Sequence, residues 1–199
     1  ISATPQSIKK EEEKAILEIG SGTIIREACT LNRGNPAFGG RTSIGQDCLL
    51  MAYVHVAHDC HIGNNCVLAN NVTLAGHIEV GRFATIGGMA AVHQFVRIGE
   101  QVMIGGGSLV RKDVPPFITA ARDPLTYAGI NSIGLRRRGF TSADMHHIED
   151  IYRILFVRGY SVRKAIDMIE NELPQTEYST QIVGFVRNAK RGIMKGFRN

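Results

Sequence analysis

The sequence contains no tryptophan, only six prolines and no uninterrupted apolar stretch as long as a membrane helix requires. A membrane span is therefore not predicted. Because no signal peptide opens the chain either, the cytoplasm is the expected location. The chain begins at Ile1 without a methionine, so we expect further residues to precede it in the natural protein.

Glycine is the abundant exception, with 22 residues. Collagen is excluded because there is no Gly-X-Y period. Disorder is excluded because 44% of the residues are hydrophobic and only 21% are charged. A chain of 199 residues can bury a substantial core, so one or two domains are expected.

Charge is distributed unevenly along the chain. Residues 1–115 carry 10 basic and 10 acidic side chains, whereas residues 116–199 carry 13 and 8, so the net charge of +5 lies in the second segment. A basic surface attracts phosphates, acidic proteins or nucleic acid, although it is also typical of an ordinary solvated helix. Nucleic acid is the least favoured partner, because no aromatic residues alternate with the basic run Arg136–Arg138.

Aliphatic residues recur at every sixth position through the first half of the chain, which indicates an internal repeat. The series is Ile44, Leu50, Val56, Ile62, Leu68, Leu74, Val80, Ile86, Val92, Ile98, Ile104 and Val110, and the same phase occurs earlier at Ile19, Ile25 and Leu31. A second phase, four residues after each aliphatic one, holds small or slender side chains. It includes all four cysteines, Cys29, Cys48, Cys60 and Cys66. We interpret the cysteines as buried, reduced core residues, with metal ligation by Cys60 and Cys66 as the less favoured alternative.

Glycine often follows the aliphatic residue directly, as at Gly45, Gly63 and Gly81, and we interpret these positions as corners where the backbone turns sharply. Short strands with glycine corners at this period predict a parallel β-helix in which three hexads form one coil of 18 residues. The spacing does not determine its handedness. The interval from Leu31 to Ile44 breaks the period, so an external loop is predicted over about residues 32–43.

The repeat stops at Pro115-Pro116, so we predict a β-helix over residues 1–115 and a linker with a C-terminal α-helical domain over residues 116–199. Thr141 and Ser161 are predicted N-caps of two helices, with Gly159 ending the first, and residues 178–191 form a third. Helices in this position cap the open core of a solenoid and offer a surface for a partner.

Three of the seven histidines are predicted to lie along one corner. On a coil of 18 residues, His58, His77 and His93 fall within one residue of the same longitudinal line. A histidine with an acidic neighbour, as His58 has in Asp59, is suited to act as a general base. Gly76 lies one coil above His58, where its amide can approach an oxyanion.

Two other interpretations of the histidines remain open. Each one taken alone is more typical of a solvated turn residue, whereas the line of three beside Asp59 favours function. A zinc site is a further alternative, but His55, His58 and His61 are spaced around a corner and diverge, so no metal and no cofactor are predicted.

Several long motifs carry a resemblance to a known family. They are His55-Val56-Ala57-His58-Asp59-Cys60, the run from Leu68 to His77, the run from Gly87 to Phe95, Asp113-Val114-Pro115-Pro116, and Arg136-Arg137-Arg138-Gly139-Phe140 with Asn131 before it. Over nearly the whole chain the sequence resembles the UDP-N-acetylglucosamine O-acyltransferases of lipid A biosynthesis, and it looks most similar to their Bacteroidetes branch.

The resemblance implies a left-handed parallel β-helix and a homotrimer with active sites between subunits. It also implies transfer of an (R)-3-hydroxyacyl group from acyl carrier protein to the 3-hydroxyl of UDP-N-acetylglucosamine. On this basis His58 is the base, Asp59 orients it, and the Gly76 amide stabilises the oxyanion.

The remaining family positions bind substrate. Those matched to the nucleotide sugar or the acyl chain are His55, Asn71, His77, His93, Gln94 and Gly106, where a small residue leaves room for a long chain. Asn131, Arg137 and Arg138 match positions near the uridine and phosphates, and Gln6 and Lys9 match a sugar-binding motif. Docking of the acidic carrier protein is expected on the basic helical domain, with Arg136, Arg137, Arg138, Arg153 and Arg158 as candidates.

The sequence departs from the family pattern at three places. Ser7 replaces an aspartate expected to contact the sugar, Asn32 replaces a histidine, and Pro124 replaces a histidine that closes the acyl pocket in some members. These departures leave open the acyl length and whether the acceptor is a hydroxyl or an amine. The alternatives are the related N-acyltransferase and a non-catalytic hexapeptide scaffold.

Overall fold

The structure, a computed structural model, describes residues 1–6 and 14–196. Short parallel strands stack into three sheets that form the faces of a solenoid, and helices follow it in the chain. The parallel β-solenoid with C-terminal helices is therefore confirmed. Lys9 and Ser7 lie outside the described residues.

Each sheet takes one strand from every coil. Sheet I contains β1 (Ile16–Ile19), β4 (Arg41–Ile44), β7 (His61–Ile62), β10 (Glu79–Val80) and β13 (Arg97–Ile98). Sheet II contains β2 (Ile24–Ile25), β5 (Leu49–Leu50), β8 (Val67–Leu68), β11 (Thr85–Ile86), β14 (Met103–Ile104), β16 (Ile118–Ala121) and β17 (Thr126–Ile130). Sheet III contains β3 (Thr30–Leu31), β6 (His55–Val56), β9 (Thr73–Leu74), β12 (Ala91–Val92) and β15 (Leu109–Val110).

The register gives the solenoid its geometry. Strands of adjacent coils pair 18 residues apart, as when Ile44 pairs with Ile62 and Val80 with Ile98. The chain runs from sheet I to II to III and back to I, so each coil has a I–II, a II–III and a III–I corner. Residues 18 apart therefore lie above one another along one corner.

Both inward phases are buried. The aliphatic residues from Ile44 to Val110 are at most 4% exposed, and Cys48, Cys60 and Cys66 are buried free thiols. Burial raises the pKa of the Cys60 thiol to about 12, so it stays protonated and packs as an apolar group. Cys29, predicted to be buried, is only half-buried because it lies in the lowest described coil.

The glycines after the strands do not have the predicted role. Left-handed backbone occurs two positions later and mostly at other residue types, such as Asn65 with a φ of 59° and Phe83 with a φ of 59°. Gly63 and Gly81 are not left-handed. A Cβ on Gly63 would lie 2.6 Å from the backbone nitrogen of Arg82 in the next coil. Glycine is required here because neighbouring coils approach closely, and the turn itself does not need it.

The external loop is shorter than predicted. β4 begins at Arg41, so the loop spans residues 32–40. Ile19 pairs with Ile44, 25 residues later, where the regular coil has 18, so the loop adds seven residues to this coil. It contains a single 3-10 turn, Pro36–Phe38, capped by the Asn35 side chain. Because it connects sheet III to sheet I, the loop lies at the III–I corner.

The solenoid continues beyond its predicted end at residue 115. Met103 of β14 pairs in parallel with Thr119 of β16, and β17 folds back antiparallel on β16. Pro116 stacks directly over Gly99, where a Cβ would lie 2.4 Å from the proline nitrogen. The two prolines therefore lie inside a last, shortened coil.

Four α-helices follow in the described chain: α1 (Ser132–Arg137), α2 (Ser142–Tyr152), α3 (Val162–Glu172) and α4 (Glu177–Arg187). A π-helical turn, Arg153–Val157, continues α2. Thr141 and Ser161 cap α2 and α3 as predicted, whereas α1 was not predicted and α4 is shorter than the expected 178–191. The buried Tyr152 hydroxyl donates a hydrogen bond to the Pro116 carbonyl and so joins α2 to the top of the solenoid.

Candidate active site

An imidazole and a carboxylate form a close pair at the III–I corner. His58 and Asp59 follow β6, and the His58 Nδ1 lies 2.7 Å from the Asp59 Oδ2. The His58 side chain is 12% exposed and that of Asp59 is 4% exposed. With Nδ1 directed at the carboxylate, Nε2 is left to accept a proton from a substrate.

Asp59 is held by the inserted loop and by the strand β4 that follows it, both in the coil below. The backbone N–H of Asn35 donates to the Asp59 Oδ1 at 2.9 Å, and the Asp59 N–H donates to the hydroxyl of the buried Thr42 at 2.8 Å. At the corner above, the His77 N–H donates instead to the His58 carbonyl at 3.0 Å. The Thr42 hydroxyl therefore takes the place of the carbonyl that a regular coil supplies, and the carboxylate is held on both sides.

His77 lies beside this pair in an aromatic cluster. Its Nε2 is 3.9 Å from the Asp59 Oδ2, and its ring makes an edge contact with the His58 ring at 5.0 Å between centroids. The Phe95 ring stacks on it at 4.5 Å, and the loop residue Phe38 meets it edge-on at 4.9 Å. Burial lowers the pKa of His77 more than the Asp59 charge raises it, so the ring is neutral at pH 7.

Gly76 lies directly above the His58 ring. A Cβ at this position would be 2.8 Å from the imidazole Cε1 and 2.9 Å from Nε2, so only glycine leaves the ring in place. Among the described residues its N–H has no hydrogen-bond acceptor, since the corner amide that binds the coil below belongs to His77. This N–H is therefore available to a group bound near Nε2.

Three further predicted residues lie along the same corner. His55 lies on β6, where its Nδ1 is 2.7 Å from the Thr30 hydroxyl, and burial lowers its pKa. His93 and Gln94 lie two coils above His58 and are exposed, with the His93 Nδ1 3.1 Å from the Gln94 carbonyl. The predicted longitudinal line of histidines thus exists, but only His58 and His77 are in contact.

Two predicted residues lie at the II–III corner instead. Asn71 is an exposed corner residue with a φ of 61°. Gly106 is exposed two coils above it, and a Cβ there would lie 3.2 Å from the Gly88 carbonyl oxygen. Beside these glycines Met89 is 73% exposed, so this corner carries an open apolar surface.

The uridine and phosphate candidates lie at the I–II corner. Asn131 caps α1 and donates from Nδ2 to the Gln101 carbonyl at 2.8 Å. Arg138 is half-buried, with Nη2 3.3 Å from the Phe83 carbonyl and Cζ 5.0 Å from the centre of the Phe83 ring, and burial lowers its pKa. Arg137 is exposed. In one chain these residues are therefore separated from His58.

The N-terminal residues lie next to the inserted loop. Ala3 bridges to Asn32 in parallel, and the Asn32 Nδ2 donates to the Thr4 carbonyl at 2.6 Å. Gln6 follows on this segment and is exposed. Lys9, its predicted companion, lies outside the described residues.

The ligand atoms of His58, Asp59 and His77 lie within 4.8 Å of one another, a spacing at which a metal ion could be held. This set differs from the His55, His58 and His61 trio weighed from the sequence, and the His61 Nδ1 is engaged 2.9 Å from the Ser43 hydroxyl. The hydrogen bond between His58 and Asp59 already engages two of the three ligand atoms. The arrangement therefore favours acid–base chemistry.

Four residues of this site were not identified from the sequence. Phe95 lies one coil above His77, so the 18-residue register contained the signal for it. Phe38 and Asn35 reach the site only because the loop folds over the corner, and no periodicity marks them. Thr42 follows the loop on β4, 18 residues before Cys60 in the inward phase, so the register indicated its burial but not its hydrogen bond to Asp59.

Six-residue repeats that form a solenoid with an imidazole and a carboxylate at one corner define the class of hexapeptide-repeat transferases. A family model described as bacterial transferase hexapeptide matches residues 41–76. A second model, described as UDP-N-acetylglucosamine O-acyltransferase, domain 2, matches residues 113–194. Within the described residues, no helix combines the length and apolar character that crossing a membrane requires.

Similar proteins identify the family within this class. An acyl-[acyl-carrier-protein]–UDP-N-acetylglucosamine O-acyltransferase of Chlorobaculum tepidum is 50% identical over the whole chain and 76% of the relative, and that of Paracidovorax citrulli is 45% identical over 98% and 76%. The crystal structure of a UDP-N-acetylglucosamine acyltransferase from Bacteroides fragilis matches with a TM-score of 0.95 at 45% identity, over 98% of this chain and 76% of that one. The chain belongs to the UDP-N-acetylglucosamine O-acyltransferase family.

Proposed function

We propose that this protein transfers an (R)-3-hydroxyacyl chain from acyl carrier protein to the 3-hydroxyl of UDP-N-acetylglucosamine, the first step of lipid A biosynthesis. The observation that carries the proposal is the buried pair of His58 and Asp59, with its imidazole Nε2 open beside the Gly76 amide. The relatives named above carry an acyl carrier protein and this nucleotide sugar in their names. We infer a cytoplasmic location for the reaction, in line with the expectation from the sequence.

The chemistry requires one base and no cofactor. The His58 Nε2 accepts the proton of the sugar hydroxyl as its oxygen forms a bond to the thioester carbonyl carbon. Asp59 stabilises the imidazolium through Nδ1. The carbon–sulfur bond then breaks, and the proton on Nε2 passes to the departing thiolate, which returns the base to its starting state.

The Gly76 N–H is assigned to the negative oxygen of the tetrahedral intermediate. A backbone donor fixed beside the base needs no rearrangement as charge develops, which is the usual origin of oxyanion stabilisation. The neutral His77 ring, beside the same carboxylate, is assigned to the sugar, as are His55, His93 and Gln94 along the corner. Gln6 and Lys9 are assigned to it from their family motif alone, since Lys9 lies outside the described residues.

The active site is completed by a neighbouring subunit. Asn131, Arg137 and Arg138 lie at the I–II corner, and Asn71 and Gly106 lie at the II–III corner, so the two groups flank sheet II. A second copy that presents sheet II to the III–I corner would bring both groups toward His58, the first for the uridine and phosphates and the second for the acyl chain.

The outer face of sheet II has the composition of an interface. Its successive outward residues, Ile24, Leu49, Val67, Thr85 and Met103, lie in register and are mostly apolar. The corresponding positions of sheet I, Glu18, Ser43, His61, Glu79 and Arg97, are all polar. A solenoid with one apolar face and a site divided between corners supports a closed homotrimer.

Oligomer formation through sheet II can be tested with one substitution. Met103→Glu introduces a charge on the apolar face, and we expect light scattering to report monomers where the natural chain forms trimers. Glu79→Gln on sheet I is the matched control and is expected to leave the mass unchanged. Trimers that persist in Met103→Glu contradict this assignment of the interface.

The reaction is tested with purified protein, UDP-N-acetylglucosamine and (R)-3-hydroxyacyl carrier proteins of increasing chain length, with the product identified by mass spectrometry. An analogue with a 3-amine runs in parallel. We expect the 3-O-acyl product from the natural sugar. Turnover of the amine alone would show the N-acyltransferase, and an intact trimer without turnover of either acceptor would favour the scaffold.

A further inference from the structure

A basic cavity lies at the top of the solenoid, away from the site described above. It has a volume of about 520 Å³, and among the described residues its charged lining consists of four basic residues, Arg111, Lys112, Arg122 and Lys195, and one acidic residue, Asp123. Arg111 and Lys112 are exposed, and neither side chain forms an ion pair or hydrogen bond with any described residue. Since neither of these two adjacent cations has an ion-pair partner among the described residues, both are available to an anion.

The coil register places this cavity on the corner that carries the base. His55 pairs with Thr73, Thr73 with Ala91, and Ala91 with Leu109, so β15 lies three coils above β6 on sheet III. On this register Arg111 and Lys112 follow β15 as Ala57 and His58 follow β6. They therefore lie at the III–I corner three coils above His58, about 14 Å away along the solenoid axis.

The path between the two sites is open. Gly76 lies one coil above His58 without a side chain, and the next coil presents the exposed pair His93 and Gln94. Where the path ends, Leu109 is 45% exposed and lines the cavity together with Leu125. An extended ligand that follows this corner from His58 would thus meet polar groups first, then an apolar wall beside two cations.

The acyl donor carries polar groups, an apolar group and a phosphate in the same order. A carrier protein holds its acyl chain on a phosphopantetheine arm, in which some fourteen bonds, two amides and an apolar dimethyl group separate the thioester from a phosphodiester. An extended chain of that many bonds, comparable to four or five residues of polypeptide, spans about 15 Å. With the thioester at His58, the phosphodiester therefore reaches the cavity.

We propose that Arg111, Lys112 and Lys195 bind the phosphodiester of the carrier protein's phosphopantetheine arm, three coils above His58, the base that activates the sugar hydroxyl for attack on the thioester. The inference rests on the proposed function and adds a subsite to it. The diphosphate of the nucleotide sugar is the other phosphate in the reaction, and its candidate ligands are Arg137 and Arg138, which a neighbouring subunit would supply from its I–II corner. The cavity is therefore assigned to the phosphodiester of the arm.

The test compares the double variant Arg111→Ala/Lys112→Ala with the natural protein on two small donors, acyl-phosphopantetheine and acyl-pantetheine, which differ only in the phosphate. Two charge-assisted contacts predict a kcat/KM about tenfold or more higher for the phosphorylated donor in the natural protein. The double variant should lose this preference, keep its rate with acyl-pantetheine and keep its KM for UDP-N-acetylglucosamine. With the acyl carrier protein as donor, we expect the kcat/KM of the double variant to fall by a similar factor.

A second double variant serves as the control for this test, and several results would contradict the proposed phosphate subsite. Arg163→Ala/Lys164→Ala removes two adjacent exposed cations from α3 and should leave the preference intact. Equal rates of the natural protein on both small donors, or a preference that survives in the double variant, would overturn the subsite. A raised KM for the nucleotide sugar would assign the cavity to the acceptor. If no donor is turned over by the natural protein, the proposed function fails instead.

Discussion

Two corners of the same solenoid show how an ordinary turn becomes a site. Asp59 at the III–I corner and Asn71 at the II–III corner have nearly the same backbone, with φ values of 58° and 61°. The Asn71 N–H donates to the Ala52 carbonyl of the coil below, and its side chain is exposed. The Asp59 N–H donates to the Thr42 hydroxyl, and its carboxylate is buried.

The difference comes from the loop at residues 32–40. It replaces the regular corner below Asp59, supplies the Asn35 N–H to the carboxylate and places Phe38 against His77. Every coil offers an outward turn residue, but only a covered one can hold a charged side chain in a fixed orientation. The seven residues that the loop adds to this coil therefore turn an ordinary corner of the solenoid into a candidate active site.

The largest expected effect comes from removing the base. His58→Ala should lower kcat by about 10²- to 10⁴-fold, because the His58 Nε2 is the group assigned to take the hydroxyl proton. The measurement is initial rate with acyl carrier protein and nucleotide sugar at saturation. His61→Ala, an exposed imidazole on sheet I, is the control and should retain activity. Full turnover in His58→Ala would show that another group is the base.

Gly76→Ala tests the contact between adjacent coils at the active corner. The added Cβ would lie 2.8 Å from the His58 ring and displace it from Asp59. We expect kcat to fall about 100-fold, as for other small misplacements of a catalytic group. Gly184→Ala in α4 meets no atom within 4 Å and should leave kcat unchanged while it raises the free energy of unfolding by about 0.4–1 kcal/mol. Unchanged kcat in Gly76→Ala would contradict the assigned geometry.

Thr42→Val would remove what distinguishes the two corners. The buried Asp59 N–H loses its acceptor, so the free energy of unfolding should fall by about 1–3 kcal/mol. The value of kcat should fall too, with little change in KM, because Asp59 positions the base without touching substrate. Thr42→Ser keeps the hydroxyl and should restore both quantities. Urea unfolding and steady-state kinetics make the comparison, and a Thr42→Val enzyme with natural kcat would show that the hydrogen bond from Asp59 to Thr42 is only structural.

The smallest effect concerns the protonation of His77. Its pKa is lower in the folded chain than the unfolded value of 6.5, so the unfolded state binds more protons below that pH. The free energy of unfolding should therefore be highest above pH 6.5 and fall as the pH decreases through 6.5 toward the folded pKa. His77→Gln should reduce this slope, leaving the part due to His55, whose pKa shifts the same way. An unchanged slope would show that His77 titrates alike in both states.

The sequence by itself determined the solenoid. Twelve aliphatic residues at a six-residue spacing define which side chains point inward, and the arithmetic of 18 places Gly76 above His58, because a parallel coil repeats its register without exception over this range. The helix caps Thr141 and Ser161 could also be predicted, because capping depends on residues close together in the sequence. The requirement for glycine after each strand could not be predicted, because it comes from the backbone of the neighbouring coil.

Only the tertiary structure decided which histidines meet and what holds the carboxylate. His93 lies on the same corner as His58 but too far along it, whereas Phe38 and Asn35 belong to a loop whose path no period describes, and Thr42 follows that loop on β4. Residues along the coil are related by a fixed repeat, and the sequence records that repeat. Residues brought together by an insertion depend on how one irregular segment packs, and that packing exists only in the folded chain.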